Sequence, residues 1–590
     1  MLRRPDPAHV KRYRDWLSGG FAAIALAELI VLGLRAAGVN GRAFWGPFLI
    51  SIHSVYKPLW IGLGASIGLL VLAPGSRASR ALACLLMAFL IAAAVIVLAR
   101  TAPAIVTKSD IAVTELYVQL ATRGDLLLGA YSRFGWHHPG PMYFWLQVPF
   151  YAVSGQRGTG LYAGALAINL ASLAVLAWML LRVDRGLLSV TLLGAWLLFA
   201  WRDRVTVSSP WTGHIPILAT MTFVGLAAAV ASGRRWMFPL LIVFGSFVTQ
   251  AHVALAPLVS VLSLWALAGA VVNRDEHPAR LAAVLQTTAW VLAALWLLPI
   301  AEELAQTPGN LTRLWRFFVS DAGGGQPFTI AFAAWSYALI GVLRPDLYTP
   351  YGGHLVLTHL LWGIPVAVAE VIALGVVGVR QVRARRLFEG WLALTALVAS
   401  LISLWSIMRI PADILDHEIY WIVPLGAMNL AIVAAAGLRA ADGRWFRNAS
   451  MRHAIADVLC TLLVLACVGA GFRDFDRSVA YETASVRTDA EINATYESIR
   501  GYLDSQDIRK PLFRVERKWD MAAAVFVRLN RTARSFAVDD AAVPMFTDVF
   551  SAHGDEDAVI AIGARHVDSV PDVTVLQREP VYVDASRTRR

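Results

Sequence analysis

Cysteine is scarce in this chain: three in 590 residues (Cys84, Cys460, Cys467), each inside an apolar stretch. They allow neither a disulfide framework nor a CxxC metal site, and they say little about redox compartment. Charge is scarce too. Charged residues make up 16% of the chain, against roughly 25% in soluble domains. These shortages exclude a disordered chain, a coiled coil and a disulfide-stapled scaffold. They also argue against the three or four soluble domains that the length suggests at roughly 150 residues each. Internal repeats are missing, which weakens inverted-repeat transporter readings.

What abounds is apolar. Hydrophobic residues reach 57%, with 21 Trp and 25 Phe, and mean hydropathy is +0.58. The net charge of +11 falls in short basic clusters between apolar runs. Nucleic-acid binding needs those residues on one accessible face, so no nucleic-acid partner is expected.

Runs of about 20 apolar residues cross the hydrocarbon core. They lie near 18–38, 55–73, 81–100, 158–181, 187–202, 213–231, 236–251, 252–272, 281–300, 355–379, 390–408, 419–437 and 454–472. The run from 236 to 272 divides at Thr249-Gln250-Ala251-His252, where polar side chains are costly at mid-membrane. Residues 140–154 and 327–343 read as surface or re-entrant helices, which leaves about 13 transmembrane helices with the N-terminus cytoplasmic. The expected inner loops (1–17, 74–80, 182–186, 232–235, 273–280, 380–389, 438–453) then hold 21 Lys and Arg in 67 residues. The outer loops (39–54, 101–157, 203–212, 301–354, 409–418) hold 10 in 147, which satisfies the positive-inside rule. Arg3, Arg4, Lys11, Arg12 and Arg14 precede a full-length span without a small-residue cleavage site, as in a retained signal anchor.

The expected fold class is therefore an all-α polytopic membrane protein, with a transmembrane module over 1–472 and a small α/β extracytoplasmic domain over 473–590. In the latter, Pro511–Val515, Ser535–Val538, Ala558–Ile562 and Val573–Leu576 read as strands and Trp519–Leu529 as a helix.

The chemistry concentrates in the outer loop 101–157. From Thr107 to Ala121 the spacing is helical, with Val113, Leu116 and Leu120 on one stripe, so the helix is expected to lie on the membrane surface with Asp110 at its start. Thr107-x-x-Asp110 also fits a capping box, and an acid gains from the helix dipole there. Two Pro and three Gly in the thirteen residues 129–141 fix a turn that gathers Arg133, Trp136, His137 and His138 ahead of Tyr143. An aromatic-belt anchor accounts for the Trp and Tyr. It does not account for Arg133, His137 and His138 beside an acidic helix.

Asp110 after an apolar run, Glu115-Leu-Tyr117, and then Tyr131-Ser-Arg133-Phe-Gly-Trp136-His137-His138-Pro-Gly-Pro141-x-Tyr143-Phe-Trp resemble the first outer loop of the GT-C membrane glycosyltransferases. The likeness is closest to actinobacterial-type members with such a loop and a C-terminal outer domain. The family's usual His-Pro-Pro turn is His-Pro-Gly-Pro here. The resemblance implies a GT-C-like membrane module that transfers a sugar from a polyprenyl-phosphate donor to an extracytoplasmic glycan, lipid or protein acceptor, located in the plasma (inner) membrane of a bacterium. It implies Asp110 as general base, with Glu115, Tyr117, Arg133, Trp136, His137, His138 and Tyr143 on the substrate.

Later outer ends supply further candidates. Arg204 and His214 flank one turn, beside Arg202, Asp203 and Trp211; His252 and Gln250 sit at another, and Glu302 and Glu303 close a span. Asp416, His417 and Glu418 crowd the loop before the twelfth span, beside Arg409 and Asp413. Together with Asp110 they are candidate ligands for a divalent cation (Mg, Mn or Ca), because carboxylate oxygens suit hard ions. Gly323-Gly-Gly325 follows no strand and opens no helix, so it is not a phosphate loop. Two other functions stand beside the transferase: a transporter or flippase of a lipid-linked glycan, and a cell-envelope assembly protein.

Overall fold

The computed structural model describes residues 7–45, 48–72, 76–184, 186–273, 281–321, 324–345, 353–355, 362–441, 449–563 and 574–587. Parts of the expected inner loops, of the outer segment 301–354, of the span 355–379, of the triple glycine and of the fourth C-terminal strand (Val573) lie outside the described residues. The chain divides into two units, Met1–Ile105 with Pro149–Ala167, and Val106–Val148 with Ile168–Arg590.

The first unit carries helices α1 (Pro7–Ala36), α2 (Tyr56–Leu72) and α3 (Arg77–Thr101), with a hairpin of β1 (Arg42–Trp45) and β2 (Phe48–Ser51). Ala25, Ala65, Leu69, Ala83 and Leu86 form its core, with Phe21, Ala22 and Leu70 against them. A methyl group added at Gly68 would come within 2.8 Å of the Phe21 ring. This is the close approach through small residues that packs helices in lipid, where no hydrophobic force separates core from surroundings.

In chain order there follow α4 (Ser109–Arg123), α5 (Met142–Val153), α6 (Gly158–Val183), α7 (Leu187–Asp203), α8 (Ile215–Ala231), α9 (Phe238–Ala251), α10 (Ala256–Val272), α11 (Leu281–Ala305), α12 (Asn310–Arg316) and α13 (Phe328–Leu339). Next are α14 (Gly363–Arg383), α15 (Leu387–Met408), α16 (Asp416–Ile419), α17 (Ile422–Ala441) and α18 (Ala449–Thr483). Helix α8 is apolar all round and buried along its whole length, as a helix at the centre of a bundle must be.

Among the described residues nine helices are long and apolar enough to cross a membrane. The other four expected spans are present as shorter helices: α2, α7 and α8 with 17 residues each, and α9 with 14. The fold is a multi-pass helical membrane protein with a small C-terminal sheet. The two stretches expected not to span form α5 and α13, 12 residues each, about 18 Å of helix against a core of about 30 Å. The division inside 236–272 also appears: α9 ends at Ala251, His252 is extended, and a 3-10 turn over Val253–Leu255 leads into α10.

After α18 come α19 (Val486–Ser505), β3 (Pro511–Glu516), α20 (Trp519–Arg531), β4 (Ala537–Val538), α21 (Val543–Phe546), β5 (Ala558–Gly563), β6 (Thr574–Gln577) and β7 (Tyr582–Arg587). The sheet order is β4-β3-β5-β7-β6, with β3 parallel to β4 and β5, and β7 antiparallel to β5 and β6. Phe513, Phe526, Phe536, Phe546 and Phe550 stack in its core. The expected strands and helix are present. Strand β7 and helix α19 add to them, as does the β1–β2 hairpin in the loop 39–54. This α/β layer belongs to the same compact unit as α4.

Candidate functional site

Helix α4 is not the surface helix its apolar stripe suggests. All ten residues from Ala112 to Ala121 are buried, because α20 packs along it. Glu115, fully buried, accepts from Arg531 through Oε1 and from the Thr107 hydroxyl through Oε2 at 2.5 Å. Gln119 donates to the Val527 carbonyl at 3.2 Å and accepts from Asn530 at 2.6 Å. The Tyr117 hydroxyl donates to the Met545 carbonyl at 2.9 Å. Glu115 and Tyr117 thus tie α4 to the C-terminal layer.

The capping reading of Asp110 also changes. The N-cap is Lys108, with no side-chain capping bond, and the Thr107 hydroxyl is taken by Glu115. The Asp110 carboxylate, partly exposed, accepts the Tyr131 hydroxyl instead. Burial raises the Asp110 pKa above the ordinary aspartate value, opposed by the Tyr131 hydrogen bond and by His417. The Tyr131 pKa is pushed far up by burial and then by the Asp110 charge, so this phenol stays a donor.

Tyr131 is brought to Asp110 by a small hairpin. Tyr131 and His137 form a bridge pair, Ser132 N–H donates to the Trp136 carbonyl at 2.9 Å and His138 N–H to the Ala130 carbonyl at 2.8 Å. Gly135, at φ +81°, turns the chain and donates to the Ser132 carbonyl at 3.1 Å. Neighbouring residues of an extended segment face opposite sides, which separates the paired histidines.

His137 is buried, its ring 6.5 Å from that of Tyr117, and its peptide is clamped by Asn310, which accepts from His137 N–H and donates to its carbonyl, both at 2.8 Å. Burial, then the Arg313 charge, lowers its pKa to about 4, against a hydrogen bond at the Pro544 backbone. His138 lies across from it. Its ring stacks on His252 at 4.8 Å, and its Nδ1 accepts from Val253 N–H at 3.1 Å. That leaves Nε2 as the protonated nitrogen of the neutral ring. Burial first, then His252, His137 and His417, holds the His138 pKa well below the ordinary value.

The remaining candidates divide. Arg133 is paired with Glu418 at 3.1 Å, donates to the Asp413 carbonyl at 3.0 Å, and lies over the Phe134 ring. Trp136 is buried against Phe134, Phe317, Phe318 and the edge of His138. The Tyr143 hydroxyl donates to the Pro210 carbonyl at 2.6 Å, a buried structural bond. His214 is fully buried, bonded to Ser209 and edge-on to Trp211, while His417 packs on that Trp at 5.1 Å. Arg204 is exposed, at the C-cap of α7.

The three expected cation ligands Asp416, His417 and Glu418 make contacts of their own. Glu418 is taken up by Arg133 and the Leu415 N–H, and the Asp416 carboxylate lies 3.7 Å from His417 Nδ1. Among the described residues no three His, Cys, Asp or Glu side chains gather around a point that a cation could fill.

Sequence reasoning missed Tyr131 and Asn310 as partners, and it gave Asp203 no partner. Asp203 accepts the Tyr420 hydroxyl at 2.6 Å and the Thr206 N–H at 2.7 Å. Tyr131 lies inside the outer loop that resembles the GT-C enzymes, but only the hairpin register shows that it faces Asp110.

No family model matches the chain, and no curated protein matches it. Among solved structures, ArnT from Cupriavidus metallidurans bound to undecaprenyl phosphate is similar over 84% of this chain and 97% of that one, with 14% identity and a TM-score of 0.46.

Proposed function

We propose that this protein is a membrane glycosyltransferase of the GT-C type, moving a sugar from a polyprenyl-phosphate donor to an extracytoplasmic acceptor with inversion. The observation that carries the reading is the Asp110–Tyr131 pair, with the His138–His252 stack on the same hairpin's other side. A carboxylate with a raised pKa and a phenol that stays protonated is a general base with its own orienting donor.

In the proposed reaction the acceptor hydroxyl gives its proton to Asp110 as its oxygen bonds to the sugar's anomeric carbon. The bond from that carbon to the phosphate oxygen breaks, and its electron pair leaves with the polyprenyl phosphate. Charge developing on that phosphate needs donors. Arg133, exchanging Glu418 for phosphate, offers a guanidinium fork that already holds the phosphate of the bound donor. The neutral His138 offers its Nε2 hydrogen. Glu115, Tyr117, His137 and Tyr143 support the site from outside it.

The test is transfer by the purified full chain. Radiolabelled polyprenyl-phosphate arabinose, mannose, glucose and aminoarabinose are supplied in turn, with a membrane extract as acceptor source. Label leaving the donor lipid in wild type, but not in Asp110→Asn, is the expected result. No release from any donor overturns the reading, and vectorial movement of intact donor across a vesicle would favour the flippase instead.

A further inference from the structure

The acid helix begins without a local cap. Its N-cap is Lys108, which makes no side-chain capping bond, and Ser109 sits at φ +53°, a conformation that a residue with a β-carbon adopts at a cost. Something else must hold this lead-in, because Asp110 follows it directly.

Two ties do so, and both come from the last quarter of the chain. The Thr107 hydroxyl donates to Glu115, whose other oxygen accepts from Arg531 of α20. Lys108 Nζ lies 3.4 Å from Glu482 of α18 and 3.5 Å from Asp489 of α19. Glu115 is fully buried while the Arg531 side chain is 38% exposed, so a carboxylate inside the protein depends on a guanidinium reaching in from the C-terminal layer. Farther along α4, Arg123 donates to Asn530 at 2.8 Å, and Asn530 to Gln119. These bonds align the helix axis; only the first two reach the residues beside Asp110.

We propose that Arg531, acting through Glu115 and Thr107, is a positioning residue for Asp110, and that the Glu482–Lys108–Asp489 cluster is its counterpart on the neighbouring residue. The C-terminal layer is then part of the catalytic apparatus rather than an appended acceptor-holding domain. This inference rests on the transferase reading with Asp110 as base. The Asp110 carboxylate meets Tyr131 across the chain, so a lead-in released at Thr107 and Lys108 lets the carboxylate drift from the acceptor. Neither tie involves Arg133 or His138, the residues assigned above to the donor phosphate.

The test uses the full chain with the labelled donors above. Arg531→Gln removes the charge, Arg531→Lys keeps it, and Thr107→Val removes one hydrogen bond while leaving the buried Glu115 paired with Arg531, so that at least one variant folds. Thr107→Val and Arg531→Gln are expected to lower kcat tenfold or more with donor KM within twofold of wild type, and Arg531→Lys to recover most of the loss. Amide exchange across 107–116 is expected to rise in Arg531→Gln while the bundle helices stay protected. Unchanged kcat in both variants, alongside an inactive Asp110→Asn, overturns the positioning role and leaves the transferase reading intact. Activity that falls only with the folded fraction also overturns it. Absence of transfer by wild type removes the transferase reading, and this inference with it.

Discussion

Tyr131 donates its hydroxyl to the Asp110 carboxylate, joining the start of a helix to the hairpin that follows it. The bond stabilises the charged form of an acid whose burial favours the neutral one. Asp110→Asn is expected to lower transfer by about 10²–10⁴-fold, the usual contribution of a general base, with the thermal melt unchanged. Tyr131→Phe takes away the larger of the two interactions that lower the Asp110 pKa. The base is active ionised and is lost as pH falls through its folded pKa, so the acid limb of the pH–rate profile should move to higher pH. A limb that stays in place or moves down would separate Tyr131 from the base.

Arg133 is held by Glu418 and the Asp413 carbonyl, partners that a phosphate can replace. Arg133→Ala should raise the KM for the lipid donor about tenfold or more, the loss of a charge-assisted hydrogen bond of roughly 1.5–3 kcal/mol, with kcat far less affected. Steady-state kinetics over a donor series checks it. A kcat effect with KM unchanged would place Arg133 on the transition state rather than on bound donor.

His137 gives a stability prediction with a defined sign. Its folded pKa is lowered to about 4, chiefly by burial, against an unfolded value of about 6.5. The neutral form is the one the fold accepts. Its stabilisation is therefore complete above about pH 6.5 and is lost as pH falls from about 6.5 toward 4. Melting of the detergent-solubilised protein should decline across that window, and His137→Phe should flatten the decline while leaving donor KM unchanged.

Gly129 faces the His138 carbonyl so closely that a methyl group there would collide with backbone. Gly129→Ala should destabilise the hairpin by about 1–3 kcal/mol, the usual cost of overpacking, and reduce activity through displacement of Tyr131 and His138. Gly124→Ala, at the C-cap of α4 where no atom lies in the way of a methyl, is the control: strained by φ +85° yet remote from the hairpin. Equal activity losses in the two would refute the hairpin argument.

Hydropathy alone determined which segments of this chain form long apolar helices, because transfer cost is summed locally over about 20 residues. It located the division at Thr249–His252 and the two short helices α5 and α13, while local patterning located most of the C-terminal elements. The loop with Asp110 also stood out, since polar side chains clustered between apolar runs are costly unless they serve a site or an interface. Which of those side chains meet was decided by tertiary structure. The stripe of Val113, Leu116 and Leu120 suggested one buried face for α4, yet α20 covers the polar side as well, turning Glu115 to Arg531 and Gln119 to Asn530. Adjacent His137 and His138 looked equivalent until the hairpin register sent one toward Tyr117 and the other toward His252. Periodicity records how a residue is oriented on its own element. What covers α4 comes from residues far along the chain, and no local pattern encodes that pairing.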